Sequence, residues 1–282
     1  MRLTLKSPAK INWFLLVTGK RSDGYHNIFS LMQKVSLYDT LVFETSEDKE
    51  IHLVSEMGIP EEDNLVYRAA TFLKKERGCS MGARITLHKE IPLEAGLGGG
   101  SSNAATTLIG LNMLWELNLP VDTLISIGSR IGSDVAFFIT EGPSLVEGMG
   151  ERITPIGMGG GLPLYILIVK PPFGVSTAEA YRGLSSYSRV DRSLVELFLD
   201  AIKRKRYNLL SGVLRNDLEG PVLLRYPQLK EIKDRLSGTG AIGTLLSGSG
   251  SSLFAVYDER DEAERALRLF RESFWCRIVQ PL

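Results

Sequence analysis

The sequence predicts an α+β fold in two domains, and three observations support this prediction. Strand-like and helix-like hydrophobic patterns alternate along the 282 residues, and the last of them, over 242–279, have the order strand, loop, strand, helix, strand. A glycine-rich stretch at 91–105 joins a strand-like segment directly to a helix-like one. A second glycine-rich stretch at 157–161 indicates a boundary between two halves, so we expect domains at 1–158 and 159–282.

The composition is that of a folded protein with balanced charge. Hydrophobic residues make up 44% of the chain and charged residues 23%, and 33 basic side chains balance 33 acidic ones. A neutral chain lacks the broad basic field that nucleic acid or an anionic membrane requires. Cys79 and Cys276 form no Cys-x-x-Cys pair and the histidines are scattered, so neither a disulfide framework nor a zinc site is expected. The apolar run at 11–17 is too short to span a bilayer, and without an export signal we expect a cytoplasmic protein.

The first part of the chain is predicted to be mostly β. Strands are predicted at 3–6 and 11–18, joined by a bend where Pro8 excludes a central strand position and Lys10 lies. Asn64 is predicted to cap a helix that Gly78 ends, because apolar side chains recur at helical spacing between them. Further strands are expected at 28–37, 40–45, 51–54 and 84–88.

The stretch at 91–105 has the features of an anion-binding loop. Glycines lack the Cβ atoms that would keep a polyanion away from the backbone, and they permit the positive φ that converging N–H groups require. Ser101, Ser102 and Asn103 are favourable caps for the following helix, whose N–H groups and positive dipole end attract phosphate. Similar turns also occur without a ligand, so this stretch alone leaves both interpretations open. It is neither a P-loop nor the dinucleotide fingerprint, because no Lys-Ser or Lys-Thr follows the glycines and Ser101 replaces the third glycine. The glycines are Gly96, Gly98, Gly99 and Gly100.

Asp134 is a single carboxylate within the small and apolar segment 131–138, after a helical stretch predicted to follow residues 120–122 and to end near Gly128. Either Ser133 or Asp134 caps a short helix, or Asp134 acts as a partly desolvated acid that takes a proton from a substrate. In the second interpretation Lys10 is the cation that could keep the acid ionised.

Tyr25 and His26 follow a hairpin turn signal at 23–24. An aromatic ring beside an imidazole can stack on a nucleobase and hydrogen-bond to its edge. A tyrosine packed under its own loop explains the pair equally well.

The second half is predicted to begin with a strand at 165–169. A capping box from Ser176 to Glu179 then starts a helix that contains Tyr181. A second glycine-serine loop at 247–252 favours a shared phosphate-bearing ligand. Helices are also expected at 193–204, 228–236 and 259–272, and strands at 242–246, 253–257 and 275–279.

Three motifs, in this order along the chain, resemble those of the GHMP kinases. The first is at 7–12, the second combines Pro92 with 96–98 and the pairs at 101–102 and 104–105, and the third is at 246–254. The resemblance implies a two-domain GHMP kinase fold with its active site in the cleft between the domains.

Other segments are similar to one branch of this family, namely 8–12, 21–26, 37–39 and 132–135. The resemblance to that branch implies transfer of the ATP γ-phosphate to the 2-hydroxyl of a cytidine-diphosphate-linked methylerythritol, an early step of non-mevalonate isoprenoid synthesis. It implies ATP and Mg²⁺ as cofactors and a small-molecule substrate, and it implies no protein partner.

The family's site residues can be placed on matching positions of this chain. Asp134 would accept the proton of the alcohol, while Lys10 would keep that acid ionised and stabilise charge on the attacking oxygen. Tyr25 and Tyr181 would enclose the cytosine and His26 would read its edge. The residues assigned to the substrate are Asn12, Tyr25, His26 and Tyr181. Those assigned to the nucleotide are Pro92, Ala95, Gly96, Leu97, Gly98, Gly99, Gly100, Ser101 and Ser102.

Two positions depart from the family's pattern. Glu94 stands where relatives often carry glycine, and we expect its carboxylate to point to solvent, away from a triphosphate that it would repel. Trp13 replaces a common leucine and is expected to affect packing only.

Two other functions are compatible with parts of the sequence. The first is a GHMP kinase for homoserine or a mevalonate derivative, which the Tyr25-His26 pair disfavours. The second is a non-catalytic ligand sensor, which predicts loss of Lys10 or Asp134, but both residues are present.

Overall fold

The computed structural model describes residues 2–56, 58–158 and 161–282, and its mixture of helices and sheets confirms the predicted α+β class. The strands are β1 (Arg2–Lys20), β2 (His26–Ser46), β3 (Ile51–Ser55), β4 (Gly82–His88), β5 (Ser144–Gly148), β6 (Arg152–Pro155), β7 (Tyr165–Lys170), β8 (Arg215–Asn216), β9 (Gly243–Leu246), β10 (Leu253–Tyr257) and β11 (Trp275–Val279). The helices are α1 (Leu65–Arg77), α2 (Gly99–Leu114), α3 (Val121–Ile131), α4 (Val135–Ile139), α5 (Thr177–Arg182), α6 (Ser193–Lys203), α7 (Glu219–Arg225), α8 (Pro227–Ser237) and α9 (Arg260–Phe270). None of the helices in these three ranges combines the length and the apolar character needed to cross a membrane.

The chain forms two compact units, each built from separate segments. Unit 1 contains 2–9, 37–91 and 98–141, and unit 2 contains 10–36, 92–97 and 142–282. The long strands β1 and β2 therefore contribute to both units. The predicted boundary between residues 158 and 159 falls on Gly159 and Gly160, which lie outside the described residues, so it stays a prediction.

Unit 1 contains the helices α1 to α4 together with β3, β4 and the C-terminal half of β2. In it β4 pairs in parallel with β3 and antiparallel with the C-terminal half of β2. Helix α1 begins and ends as predicted, because the Asn64 side chain accepts the N–H of Val66 at 3.0 Å and Gly78 terminates it in the left-handed conformation, with φ 58°. Helix α2 packs against α1, α3 and α4. A Cβ on Gly110 of α2 would come within 2.6 Å of the Phe43 ring, so this glycine lets the helix lie close to β2.

Unit 2 contains a four-stranded antiparallel sheet in the order β11-β7-β10-β9. Helix α9 packs on β7, β10 and β11, and α8 packs on β9 and β10. Burial of Leu167, Leu253 and Phe270 between these layers forms part of the apolar core. In the rest of the unit, the N-terminal half of β2 pairs with β5, β5 pairs with β6, and β1 pairs in parallel with β8.

The predicted bend around Pro8 is wrong, because residues 2–20 form one continuous strand. Proline removes only a backbone N–H, and within the described residues β1 pairs with β8 only at Phe14 and Leu15, well beyond Pro8. Lys10 therefore lies inside a strand. The two strands predicted at 28–37 and 40–45 are likewise a single strand, β2.

The predicted capping box at the start of α5 is also wrong. Ser176 occupies the N-cap position, but its side chain makes no capping hydrogen bond. Glu179 instead accepts a hydrogen bond from the Tyr226 hydroxyl at 3.0 Å and pairs with Arg225. The Glu179 carboxylate therefore bonds to side chains distant in sequence and not to the backbone at Ser176, as a capping box requires.

Candidate active site

Lys10 is a buried side chain of β1 that is only 4% exposed. Its ammonium group donates a hydrogen bond to Asn12 Oδ1 at 2.7 Å, and Asn12 Nδ2 donates to Ser30 Oγ at 2.8 Å. Ser30 in turn donates to the carbonyl of Phe14 at 2.6 Å, while the backbone N–H of Lys10 donates to the carbonyl of Leu97 at 3.0 Å. These bonds fix both the backbone and the charged end of Lys10 within unit 2.

The loop at 92–97, which contains Gly96, and the glycine-serine loop at 247–252 both belong to unit 2 and pack directly on each other. Gly96 has φ 70°, and a Cβ there would come within 1.9 Å of the carbonyl oxygen of Ser247. The Ser247 hydroxyl donates to the carbonyl of Gly96 at 3.1 Å, and the N–H groups of Ser251 and Ser252 donate to the 92–97 loop at 3.2 Å. This close approach explains why the loop needs glycine at position 96.

The ammonium group of Lys10 lies beside the second of these loops. A Cβ on Gly248 would come within 3.2 Å of Lys10 Nζ and within 3.0 Å of the Gly96 carbonyl. The amide group of Asn216 donates to the carbonyls of Leu246 and Gly248, at 2.9 Å and 2.7 Å, and so holds this loop in place. Lys10 and the two loops therefore form one cluster in unit 2.

The first turn of α2, in unit 1, is the remainder of the glycine-rich stretch. Gly98 has φ 69° and is the N-cap, so the helix begins at Gly99 and no side chain caps it. The first N–H groups of a helix have no intrahelical acceptor and attract anions. The prediction that Ser101, Ser102 and Asn103 cap the helix is wrong, because a left-handed glycine starts the helix before them.

Asp134 belongs to unit 1 and precedes the short helix α4, all five of whose residues are buried. It occupies the N-cap position, but its side chain does not cap the helix. Asp134 therefore lies at the predicted cap position without making the capping hydrogen bond, and its role as a base stays a prediction.

The structure brings together only part of the predicted aromatic site. The His26 and Tyr181 rings stack with centroids 4.9 Å apart, and Tyr187 lies 6.0 Å from His26. Sequence reasoning missed Tyr187, although its ring is exposed in the loop that follows α5. Tyr25 is 66% exposed, so it is not packed under its own loop. Burial lowers the pKa of His26, and the positive charge of Lys20 lowers it further.

The two departures from the family's pattern have local explanations. Glu94 is exposed, as expected, and has φ 49°, while its carboxylate lies where a Cβ on Gly174 would come within 2.1 Å of it. Burial lowers the pKa of Lys170, and the charge of Glu94 opposes this effect, so the two side chains are neighbours that compensate each other's charge. Trp13 is buried and packs on Phe198 with ring centroids 5.3 Å apart, as expected of a residue that affects packing.

Across the described ranges, no group of three or more His, Cys, Asp or Glu side chains could hold a metal ion. Cys79 and Cys276 are both free thiols. Because Mg²⁺ in nucleotide sites is held largely by substrate phosphates and water, a nucleotide-bound Mg²⁺ fits the residues that are present.

Two family models match this chain, one described as the GHMP kinases N terminal domain over residues 64–142 and the other as GHMP kinases C terminal over residues 198–274. The chain belongs to the GHMP kinase family, and the resemblance of its three motifs is confirmed. It is a kinase, that is, a phosphotransferase that uses ATP.

Within this family, the chain is similar to proteins named 4-diphosphocytidyl-2-C-methyl-D-erythritol kinase. It is 44% identical to the one from Thermodesulfovibrio yellowstonii, over 99% of this chain and 98% of the relative. It is 42% identical to the one from Geobacillus kaustophilus, over 94% and 91% of the two chains. A crystal structure titled 4-(cytidine 5'-diphospho)-2C-methyl-D-erythritol kinase matches with a TM-score of 0.84 and 33% identity, over 99% of both chains. Homoserine kinase from Cytophaga hutchinsonii, at 18% identity and a TM-score of 0.77 over 99% and 94% of the chains, shares the fold.

Proposed function

We propose that this chain phosphorylates the 2-hydroxyl of 4-diphosphocytidyl-2-C-methyl-D-erythritol with ATP, producing the 2-phosphate and ADP, in non-mevalonate isoprenoid precursor synthesis. The observation that carries the proposal is near-full-length identity of 39–44% to relatives that bear the name of this activity. The stacked pair of His26 and Tyr181 supports a substrate with a nucleobase.

The nucleotide phosphates are assigned to the glycine-rich stretch. Positive φ at Gly96 and Gly98 shapes its backbone, and the N–H groups at the start of α2 supply a positive end for phosphate. A Mg²⁺ ion bound with ATP would neutralise charge on the phosphates. The residues that take part are Pro92, Ala95, Gly96, Leu97, Gly98, Gly99, Gly100, Ser101 and Ser102.

The chemical step needs one base and one cation. Asp134 accepts the proton of the 2-hydroxyl as the oxygen of that group bonds to the γ-phosphorus, and the bond from the γ-phosphorus to the β-phosphate oxygen breaks to release ADP. Lys10 stabilises negative charge on the attacking oxygen. Its hydrogen bond to Asn12 fixes the ammonium group before the reaction, so no reorganisation is required during the step.

The cytidine end of the substrate is assigned to aromatic side chains. Tyr25 and Tyr181 stack on the cytosine, and His26 hydrogen-bonds to its edge. Because the His26 pKa is lowered, the ring is neutral at physiological pH and can present an acceptor nitrogen to an amino group. Asn12 contributes to the site by accepting the hydrogen bond that positions the Lys10 ammonium group.

The proposal is tested by measuring ADP release with four acceptors, namely the cytidylated alcohol, free methylerythritol, homoserine and mevalonate. We expect kcat/KM for the cytidylated alcohol to exceed the others by about 10³-fold or more, because a site that hydrogen-bonds a substrate group strongly rejects analogues that lack it. Tyr25→Ala should raise KM for this acceptor by an amount that reflects stacking worth about 1–3 kcal/mol, and Tyr25→Phe, which keeps the ring, is the matched control. Preference for an uncytidylated alcohol would refute the proposal.

A further inference from the structure

A buried carboxylate of unit 1, Asp39, is absent from the mechanism above. It lies in β2 and is fully inaccessible to solvent. Its Oδ1 atom accepts the backbone N–H groups of Glu90 and Ile91 at 2.8 Å and 2.9 Å. Its Oδ2 atom accepts Asn103 Nδ2 at 2.8 Å and also the ammonium group of Lys89. An ionised carboxylate has about four acceptor positions, so the hydrogen-bonding capacity of Asp39 is filled.

The hydrogen bonds continue from Asn103 into the first turn of α2. Asn103 Nδ2 also donates to Ser7 Oγ at 2.9 Å, and Ser7 Oγ donates to Ser102 Oγ at 2.8 Å. Ser7, Ser102 and Asn103 are all buried. The network therefore connects Asp39 with the start of the helix that carries the assigned phosphate-binding N–H groups.

We propose that Asp39 is a positioning residue for the nucleotide. It ties residues 89–91, at the start of the glycine-rich stretch, to Asn103 near the start of α2, and so fixes residues on both sides of the glycines at 96–100. This inference rests on the proposed function for the assignment of phosphate to α2. Preorganised donors bind an anion more tightly because the cost of ordering them is met during folding.

Lys89 compensates the negative charge that Asp39 would otherwise place near the triphosphate. Its ammonium group balances the charge of Asp39, and it also donates to Asn103 Oδ1 at 3.3 Å. Burial lowers the pKa of Lys89, and the charge and hydrogen bond of Asp39 oppose this effect. The pair presents no net charge to a bound nucleotide.

The test compares ATP binding by wild-type protein and Asp39→Asn, using MgATP without any acceptor. An asparagine oxygen can still accept the two backbone N–H groups, but its NH₂ group would face two other donors, on Lys89 and Asn103. We expect ATP to bind at least about tenfold more weakly, because the α2 side of the network is lost while the fold is kept. Amide hydrogen exchange should become faster at 89–91 and 99–103 and remain unchanged in unit 2.

Two further variants separate positioning from general destabilisation. Leu124→Ala removes a buried side chain of α3 and lowers stability without touching the network, so ATP affinity should stay close to that of the wild type. Ser7→Ala removes one hydroxyl and should weaken ATP binding in the same direction as Asp39→Asn but less, which decides the matter if Asp39→Asn fails to fold. Wild-type affinity in Asp39→Asn, unchanged affinity and exchange in Ser7→Ala, or equal losses in Leu124→Ala would overturn the inference. Since no acceptor is present, a wrong substrate assignment would leave these results unaffected.

Discussion

The charged end of Lys10 is positioned by a chain of hydrogen bonds that runs through Asn12 and Ser30 to the backbone of β1. A long side chain normally loses much rotamer freedom when it is held in one place. Here burial and the strand geometry supply that restriction before any ligand arrives, and this is the property required of a group that stabilises charge in a transition state.

Replacement of the proposed base provides the first test at the residue scale. Asp134→Asn keeps the shape of the side chain but removes its ability to take a proton, so turnover should fall by roughly two to four orders of magnitude, the usual range for a positioned base. Affinity for ATP should change little. Asp122→Asn, at an exposed position in the first turn of α3, is a control for the loss of one charge in unit 1 and should leave turnover unchanged. Normal turnover in Asp134→Asn would exclude this residue as the base.

The lowered pKa of His26 predicts how substrate binding depends on pH. His26 is neutral above its pKa, which lies below the ordinary 6.5, and it gains a proton as the pH falls through that pKa. Protonation removes the acceptor nitrogen, so KM for the cytidylated alcohol should rise in acid while KM for ATP should not.

Two variants test this assignment. Lys20→Met removes the nearby positive charge and should move the rise in KM to higher pH, whereas Lys75→Met in unit 1 should not. A rise in KM that persists in His26→Gln would show that another group is responsible.

At the scale of elements, the contact between the 92–97 and 247–252 loops depends on Gly96. Alanine there would adopt an unfavourable positive φ. Its Cβ would also collide with the carbonyl oxygen of Ser247, because the two atoms would be only 1.9 Å apart. We expect Gly96→Ala to lower the free energy of unfolding by about 2–4 kcal/mol, the sum of backbone strain and overpacking. Urea denaturation measures this change. Gly19→Ala, where a Cβ would meet no atom within 4 Å, should change stability by less than about 0.5 kcal/mol, and equal stability of the two variants would contradict the contact.

The sequence predicted elements best where the signals are local. The helix from Asn64 to Gly78 was predictable because both of its ends are capped by neighbouring residues, and the strand at 275–279 was predictable from its pattern. The continuity of β1 through Pro8 and the failure of Ser176 to cap α5 were not predictable, since both depend on partners distant in sequence. Gly96 could be identified as part of a loop, but its collision partner, Ser247, lies 151 residues away.

At the scale of the whole molecule, the motifs identify the family, but they do not predict how the chain is divided between the two units. The three motifs predicted a GHMP kinase, and the family models and relatives confirm it. The interleaving of the two units could not be read from the sequence, because β1 and β2 each contribute to both units and no compositional change marks the crossing points. The roles of Lys10 and Asp134, which belong to different units, remain predictions.

The buried thiol of Cys276 provides a test of overall stability. Burial raises its pKa from 9.0 to about 11, so the folded state keeps the proton at pH values where the unfolded state loses it. This contribution is fully present below pH 9 and is lost as the pH rises toward 11, and it amounts to about 2–3 kcal/mol. Cys276→Ala should therefore lose less stability between pH 9 and 11 than the wild type in urea titrations. Equal losses would mean that the thiol is accessible in the folded state.

The most direct test of the central claim is to identify the product by phosphorus and carbon NMR. Wild-type protein is incubated with ATP, Mg²⁺ and 4-diphosphocytidyl-2-C-methyl-D-erythritol until ADP release stops. We predict one new phosphate monoester signal, coupled to carbon 2 of the methylerythritol, with the diphosphate bridge intact. A phosphate on another hydroxyl, or ADP formed with only inorganic phosphate, would contradict the account.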